Sequence, residues 1–389
     1  MQIRRLGRPA QSQAGQVIVV FALGLVAIVV MIGLVIDGGA IFAQQRIAQN
    51  GADAAANAGA LVLAEHISDR VRGRPGRTGA DVAAAIAASA AANGLENPVA
   101  TYTDDLGQPL EPLERVDPAG AIPANASGVN VVGERRMNTF FAWATGLLPG
   151  GTAISELVAR ADATVVVGPL GGVCPAEAGC GVLPVTFPVA ISTCDGKNLA
   201  GTVGETWPLV TEPERTSSNK VVVPLCTTSE GSVGWLDFGT GQNLQDAIAD
   251  PRNEAFQIPT WIRTQTGNVN AVEDEINDNY AGSPILIPLF DGTCRVDPRG
   301  TELAACPEDK KGIDPQGNNT WYHIPYFTTF WLERAYIQGN NASMCQPYAG
   351  QQGFIGCLHG WFVEYISEGP IVPGRPIGPS DTIGLQLIR

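Results

Sequence analysis

The residues able to carry chemistry are few in this chain, and their spacing limits what they could do. The histidines are His66, His323 and His359, and no two of them stand at metal-ligand spacing. Eight cysteines, Cys174, Cys180, Cys194, Cys226, Cys294, Cys306, Cys345 and Cys357, include no C-x-x-C pair of the kind a structural zinc site uses. Cys357-x-His359 therefore reads as the neighbourhood of a disulfide. Ser217-Ser-Asn-Lys220 has the S-x-x-K form of a serine acyl-enzyme, a chemistry that needs a helix after the serine and distant S-D-N and K-T-G partners. Here Val221-Val-Val-Pro follows as a strand, and both partners are missing. Neither G-x-S-x-G nor a phosphate-cradling glycine loop ending in Gly-Lys occurs. The expectation is a protein without a catalytic centre, metal or cofactor.

What must position the remaining residues is a single stretch, Val17 to Ile36, closed by Asp37. It has twenty residues and no charge, and fifteen are Leu, Ile, Val or Phe. As a helix it is about 30 Å long, the thickness of a bilayer's hydrocarbon. A cleaved signal peptide would have a shorter apolar core and small residues before the cut, and this stretch fits neither requirement. Arg4, Arg5 and Arg8 precede it and an acid follows, so residues 1–16 are expected in the cytoplasm and everything past Asp37 across the membrane.

Charge and cysteine placement agree with that topology. From Thr78 onward there are 16 basic and 34 acidic residues, with no basic stripe, which makes nucleic acid a poor partner. An even number of cysteines, all from Cys174 onward, fits disulfides in an oxidising compartment.

Beyond Asp37, Gly38-Gly39 offers a possible kink, yet Ala40 to Arg70 is Ala-rich and proline-free, a helical composition. Ala48, Ala52, Ala55 and Gly59 fall on one face of small residues, which lets another helix approach closely. Gly73-Arg-Pro-Gly76 breaks the helix; Thr78 with Asp81 predicts a capping box, and Gly94 a C-terminal stop for a second Ala-rich helix. Residues 37–94 are thus expected as a juxtamembrane helical hairpin.

These residues carry a resemblance. Gly15-Gln16, the apolar span, Ile36-Asp37-Gly38-Gly39, Phe42, Gln44-Gln45-Arg46 and Gln49 through Ala60, with Asp37, Arg46, Gln49 and Asp53 as its polar positions, resemble the N-terminal segment of TadE/TadG-like proteins of Flp (tight-adherence) pilus assembly. The likeness covers about residues 13–64. It implies a bacterial envelope protein with one span and an exported domain, whose partners are the lipid bilayer and other pilus-assembly membrane proteins reached through the N-terminal helix. Prepilin-peptidase substrates resemble a glycine followed five residues later by Glu. Val20 stands there, so the uncleaved TadG-like branch fits better. The D-x-S-x-S signature of metal-dependent adhesion domains, carried by some of these proteins, is absent.

Residues 95–168 read as a small α/β unit: a proline-bearing loop, a strand at Val129–Val132, and a short helix capped by Asn138 whose apolar side is Phe140, Phe141, Trp143 and Leu147, read as core. A strand follows in which Ala159, Ala161, Ala163, Val165 and Val167 alternate with polar residues. From residue 169 to 389, short strand candidates (Val185–Ile191, Lys220–Leu225, Val233–Phe238, Ile285–Phe290, Tyr322–Leu332, Gly360–Ile366) predict a β-rich domain, sandwich or barrel, stapled by disulfides. Helical pieces are expected near Leu244–Ala249 and Asn270–Tyr280, the second with a solvated acidic face. Gly234-Trp-Leu-Asp-Phe, Pro284 to Gly292 and Tyr322-His-Ile carry a weaker likeness to the exported part of TadG-like proteins. Loop lengths favour pairing of sequential cysteines. The fold class is α+β.

Function follows as an expectation: a single-pass envelope component of Flp pilus assembly, not an enzyme, with a structural or attachment role. A membrane-tethered ligand- or carbohydrate-binding module would instead show accessible tryptophans among Trp207, Trp235, Trp261, Trp321, Trp331 and Trp361. A tethered hydrolase would show a carboxylate pair or a nucleophile beside His323.

Overall fold

The computed structural model describes residues 14–147, 151–227, 233–265, 272–295, 320–337 and 343–388. Arg4, Arg5, Arg8, Asn270 and Cys306 lie outside the described residues. The chain divides into two compact units interleaved in sequence. One takes the residues up to Ala55 with 87–99 and 131–163; the other takes 56–86, 100–130 and 164 onward.

The first helix, α1 (Ala14–Val71), is continuous over 58 residues. Gly38 and Gly39 lie inside it without a break, because the apolar and Ala-rich runs on either side propagate the hydrogen-bond ladder through them. Its apolar portion is the one helix among the described residues long and apolar enough to cross a membrane. Side chains there face outward, as at Val17, Phe21, Met31 and Val35, each more than half exposed. The helix stops at Gly73, which adopts φ +69°, and the Arg74 N–H folds back to the Asp69 carbonyl at 2.8 Å.

The second helix, α2 (Gly79–Ala92), begins on a reciprocal cap. Thr78 N–H donates to Asp81 Oδ2 at 2.8 Å, and Asp81 N–H donates to Thr78 Oγ1 at 3.3 Å. It ends with Gly94 at φ +64° and the Leu95 N–H on the Ala90 carbonyl at 2.9 Å.

Three strands follow, β1 (Glu96–Thr103), β2 (Gly128–Asn138) and β3 (Glu156–Pro169). They form a five-stranded sheet in the order β1, β2, β3, Ile383–Ile388, Ile366–Glu368. β1 lies where only a loop is expected. In β3 the alternation holds, with Ala159, Ala161 and Ala163 buried and Arg160 and Asp162 exposed. The expected α-helix after Asn138 is a 3-10 turn, Ala142–Leu147. Its aromatics are not core: Phe140, Phe141 and Trp143 are 64%, 42% and 51% exposed.

The larger sheet runs, in spatial order, Gly292–Arg295, Thr320–Ile324, Thr260–Thr264, Gly234–Asp237, Val185–Pro188, Ser283–Phe290, Tyr326–Tyr336, Phe354–Val363 and Val221–Cys226. Pro325, which has no N–H to donate to a ladder, divides the expected Tyr322–Leu332 strand in two. Phe187, Phe330 and Phe362 meet in its core with centroids 5.1–6.2 Å apart, and Trp207 stacks on Phe362. Removing any one of those rings would cost about 3–5 kcal/mol. Helices Leu244–Ala249 and Glu273–Tyr280 flank it. The latter is not wholly solvated: Glu273 is buried, and its carboxylate accepts the Ile337 N–H at 2.6 Å.

Disulfides join Cys174–Cys180, Cys194–Cys226 and Cys345–Cys357, with Cα–Cα distances of 5.3, 5.3 and 5.7 Å. Cys294 is disulfide-bonded as well. The fold is thus an apolar N-terminal helix followed by a mostly β-rich domain.

Candidate functional site

The residues of the expected motif gather along one run of α1, from Gly33 to Asp53. Asp37 closes the apolar stretch, and its carboxylate is buried, which requires compensation. Three backbone N–H groups supply it: Phe140 to Oδ1 at 2.8 Å, and Phe141 and Ala142 to Oδ2 at 2.9 and 2.6 Å. These are the free donors at the start of the Ala142–Leu147 turn, capped here by a carboxylate from a remote helix. One turn earlier on the same face, Gly33 meets the Phe141 side chain so closely that a Cβ there would lie 2.6 Å from Phe141 Cβ. Only glycine fits that approach.

The next turns hold the glutamines. Gln45 Nε2 donates to the Arg160 carbonyl at 2.6 Å, and Gln49 Nε2 to the Asp162 carbonyl at 2.8 Å. Four helical residues rise about 6 Å and two strand residues about 6.8 Å, so glutamines at i and i+4 match carbonyls at j and j+2. Gln49 spends its second amide hydrogen on Asp53 Oδ1 at 2.8 Å. Gln44 accepts from Arg135 Nε on β2, and Arg135 Nη1 also reaches the Gly94 carbonyl at 2.8 Å. Arg46 is exposed.

The small-residue face lies inside the chain. Ala48, Ala52 and Ala55 are buried. A Cβ on Gly51 would meet Leu95 Cβ at 3.2 Å, and one on Gly59 would meet Ile86 Cγ1 at 2.7 Å. A face that sequence offers to another protein's helix is taken up by residues of this chain. Among the exposed positions on this part of α1 are Phe42, Arg46 and Ile47.

A second polar cluster forms around Glu364, in a cleft that Glu65, Ser68, Arg72 and Asp381 also line. Glu364 pairs with Arg74 and with Arg72 Nε at 3.3 Å, and accepts from Ser68 Oγ at 3.1 Å. Burial pushes the Asp381 carboxyl above its ordinary range, against the pull of Arg375. Paired charges of both signs hold these elements together and offer no unopposed nucleophile.

The residues from which other chemistry could be built are placed as follows. His323 Nδ1 sits 2.6 Å from Asp291 Oδ1, a pairing that spacing could not reveal. No hydroxyl or thiol is hydrogen-bonded to His323 among the described residues. Burial depresses the pKa of His359, which lies edge-on to Tyr336 at 4.8 Å. Of the six tryptophans named above, Trp235 is buried and the others are half-buried. Trp331 and Trp361 face each other across adjacent strands, with the Arg215 guanidinium 3.6 Å from the Trp331 ring centroid and Lys220 Nζ 5.6 Å from that of Trp361. Those rings already carry the chain's own cations. Among the described residues no group of three His, Cys, Asp or Glu is placed to hold a metal.

Fold and site describe a protein with one N-terminal apolar helix whose polar continuation is fastened to a sheet. Residues 15–62 match the family model described as putative Flp pilus-assembly TadE/G-like. That match takes in both the apolar stretch and the Asp37–Asp53 network. No curated protein and no solved structure matches the chain.

Proposed function

We propose that this chain is a single-pass, membrane-anchored component of Flp pilus assembly, with a structural or attachment role and no catalytic activity. The observation that carries the proposal is the coincidence of the family match, residues 15–62, with the helix that holds both the span and the docking network. In this reading the N-terminus is cytoplasmic, on account of Arg4, Arg5 and Arg8, and the disulfide-bonded β-rich domain is extracytoplasmic. Other pilus-assembly membrane proteins meet the outward-facing apolar part of α1, the TadG-like arrangement without cleavage.

The test is deletion of the gene in its own host, with pili counted by electron microscopy and surface adherence measured. Pili and adherence are expected to fall and to return with the intact gene. Unchanged pili and adherence would overturn the role. Topology is tested by labelling intact cells with an impermeant reagent at Lys197, an exposed residue that should react, whereas protection of Lys197 would reverse the orientation.

A further inference from the structure

Three exposed aromatic side chains within four residues are costly in water, since each ring carries about 150–250 Å² of surface to bury. Phe140, Phe141 and Trp143 are such a group, and their place is fixed by two contacts with α1. Phe141 lies against Gly33, and Asp37 binds the backbone of all three residues from Phe140 to Ala142. Gly33 belongs to the last turn of the apolar stretch and Asp37 ends it. The aromatic turn therefore sits at the depth of the end of the span. A segment at that depth must satisfy its own backbone, because lipid offers no partners. At its start that requirement is met: Asp37 takes three N–H groups, and Trp143 Nε1 donates to the Phe140 carbonyl at 3.0 Å. What remains facing outward is ring surface.

We propose that Phe140, Phe141 and Trp143 form a second membrane contact, an aromatic wedge seated at the hydrocarbon–headgroup boundary where the apolar helix ends. The occupant of this surface is lipid, because the patch is continuous with the outward-facing apolar surface of the span itself. Aromatic rings favour that boundary, where they fix depth and rotation of a helix that a uniform apolar cylinder leaves free. This inference rests on the reading of Val17–Ile36 as a span, and its test separates the two.

The full chain is reconstituted in phosphatidylcholine vesicles carrying acyl chains brominated either near the carbonyl or near the bilayer centre. Tryptophan fluorescence is compared between the natural chain and Trp143→Phe, with Val26→Trp in the Trp143→Phe background reporting the span. The expected result is shallow-bromine quenching in the natural chain that is lost in Trp143→Phe, and quenching of Val26→Trp by the deep bromines. Equal shallow quenching of the natural chain and Trp143→Phe, with Val26→Trp quenched from the centre, would overturn the wedge and leave the span standing. A Val26→Trp chain blind to the deep bromines would overturn both.

Discussion

The backbone of Gly59 on α1 lies against Ile86 on α2 so closely that an added methyl group would sit 2.7 Å from Ile86 Cγ1. Gly59→Leu is therefore expected to destabilise the fold by about 1–3 kcal/mol through overpacking, and not merely to block a partner. Gly24 faces open space, and Gly24→Leu is the matched control. Thermal unfolding of the detergent-solubilised chain should show a lowered midpoint for the first variant and none for the second. Equal midpoints would return the small-residue face to an external partner.

Asp37 accepts from three successive backbone donors. Asp37→Ala removes the carboxylate that accepts from Phe140, Phe141 and Ala142; because these donors are only partly buried, the cost is about 1–3 kcal/mol in all. Chymotrypsin cleavage after Phe140 and Phe141 in detergent should be about 10- to 100-fold faster than in the natural chain, since local opening sets the rate. Asp37→Asn, which retains one acceptor oxygen, should fall between. An unchanged digestion rate in Asp37→Ala would detach the turn from the helix.

Gln45 and Gln49 guard carbonyls on the edge of β3. The strand Ile383–Ile388 pairs with β3 as far as Thr164, and the carbonyls of Arg160 and Asp162 are met by glutamine amides. Covering an edge in this way suppresses strand-to-strand association. Gln45→Ala and Gln49→Ala should each cost about 0.5–1.5 kcal/mol. Gln49→Glu should be worse than Gln49→Ala, because it sets a carboxylate against a carbonyl and against Asp53. Urea unfolding orders the three variants, and the reverse order would remove the glutamines from any docking role.

The Asp81 cap gives a pH signature. The Thr78 backbone N–H and then its hydroxyl hold the Asp81 carboxyl below its ordinary range. A depressed folded-state pKa adds stability that is present above the unfolded value of about 3.9 and is lost as pH falls through the folded value. Asp81→Asn should remove that acid-side slope while leaving the profile between about pH 6 and 7 flat in both chains. Circular dichroism melts of both chains between pH 2 and 7 read it directly, and parallel profiles would exclude the cap as a contributor.

Disulfide loops scale the remaining prediction. Cys345–Cys357 closes 12 residues and Cys194–Cys226 closes 32. In the chain-entropy account they contribute about 3 and about 4 kcal/mol. Replacing each pair with serine should lower the unfolding midpoint in that order. Alkylation of the unreduced, denatured chain followed by weighing should add no label at these cysteines, and label there would refute the pairing.

Legibility in the sequence followed the range of the interactions. The ends of α2 were readable because Thr78, Asp81 and Gly94 act within a few residues of themselves. The break at Pro325 was in principle readable from proline chemistry, yet the aromatic run around it concealed it. β1 was missed because the prolines at 109, 112, 118 and 123 made the whole stretch look like loop, although they all follow the strand. Asp37 was recognised as the end of the apolar stretch, but its acceptor role was hidden, since its donors are backbone groups that carry no side-chain signature. The same holds for Gln45 and Gln49, which bind carbonyls of exposed residues. Phe140, Phe141 and Trp143 read as core because apolar spacing alone does not say whether a side chain turns inward or outward.

The pairing of Asp37 with Phe140, Phe141 and Ala142 spans 103 to 105 residues of chain. At about 5–20 residues per second, the donors leave the ribosome roughly 5–20 s after the acid they serve. For that interval the Asp37 carboxylate stands without the turn it caps. Formation of the helix and fastening of its end are therefore separate events in the life of each molecule, and the second waits on translation.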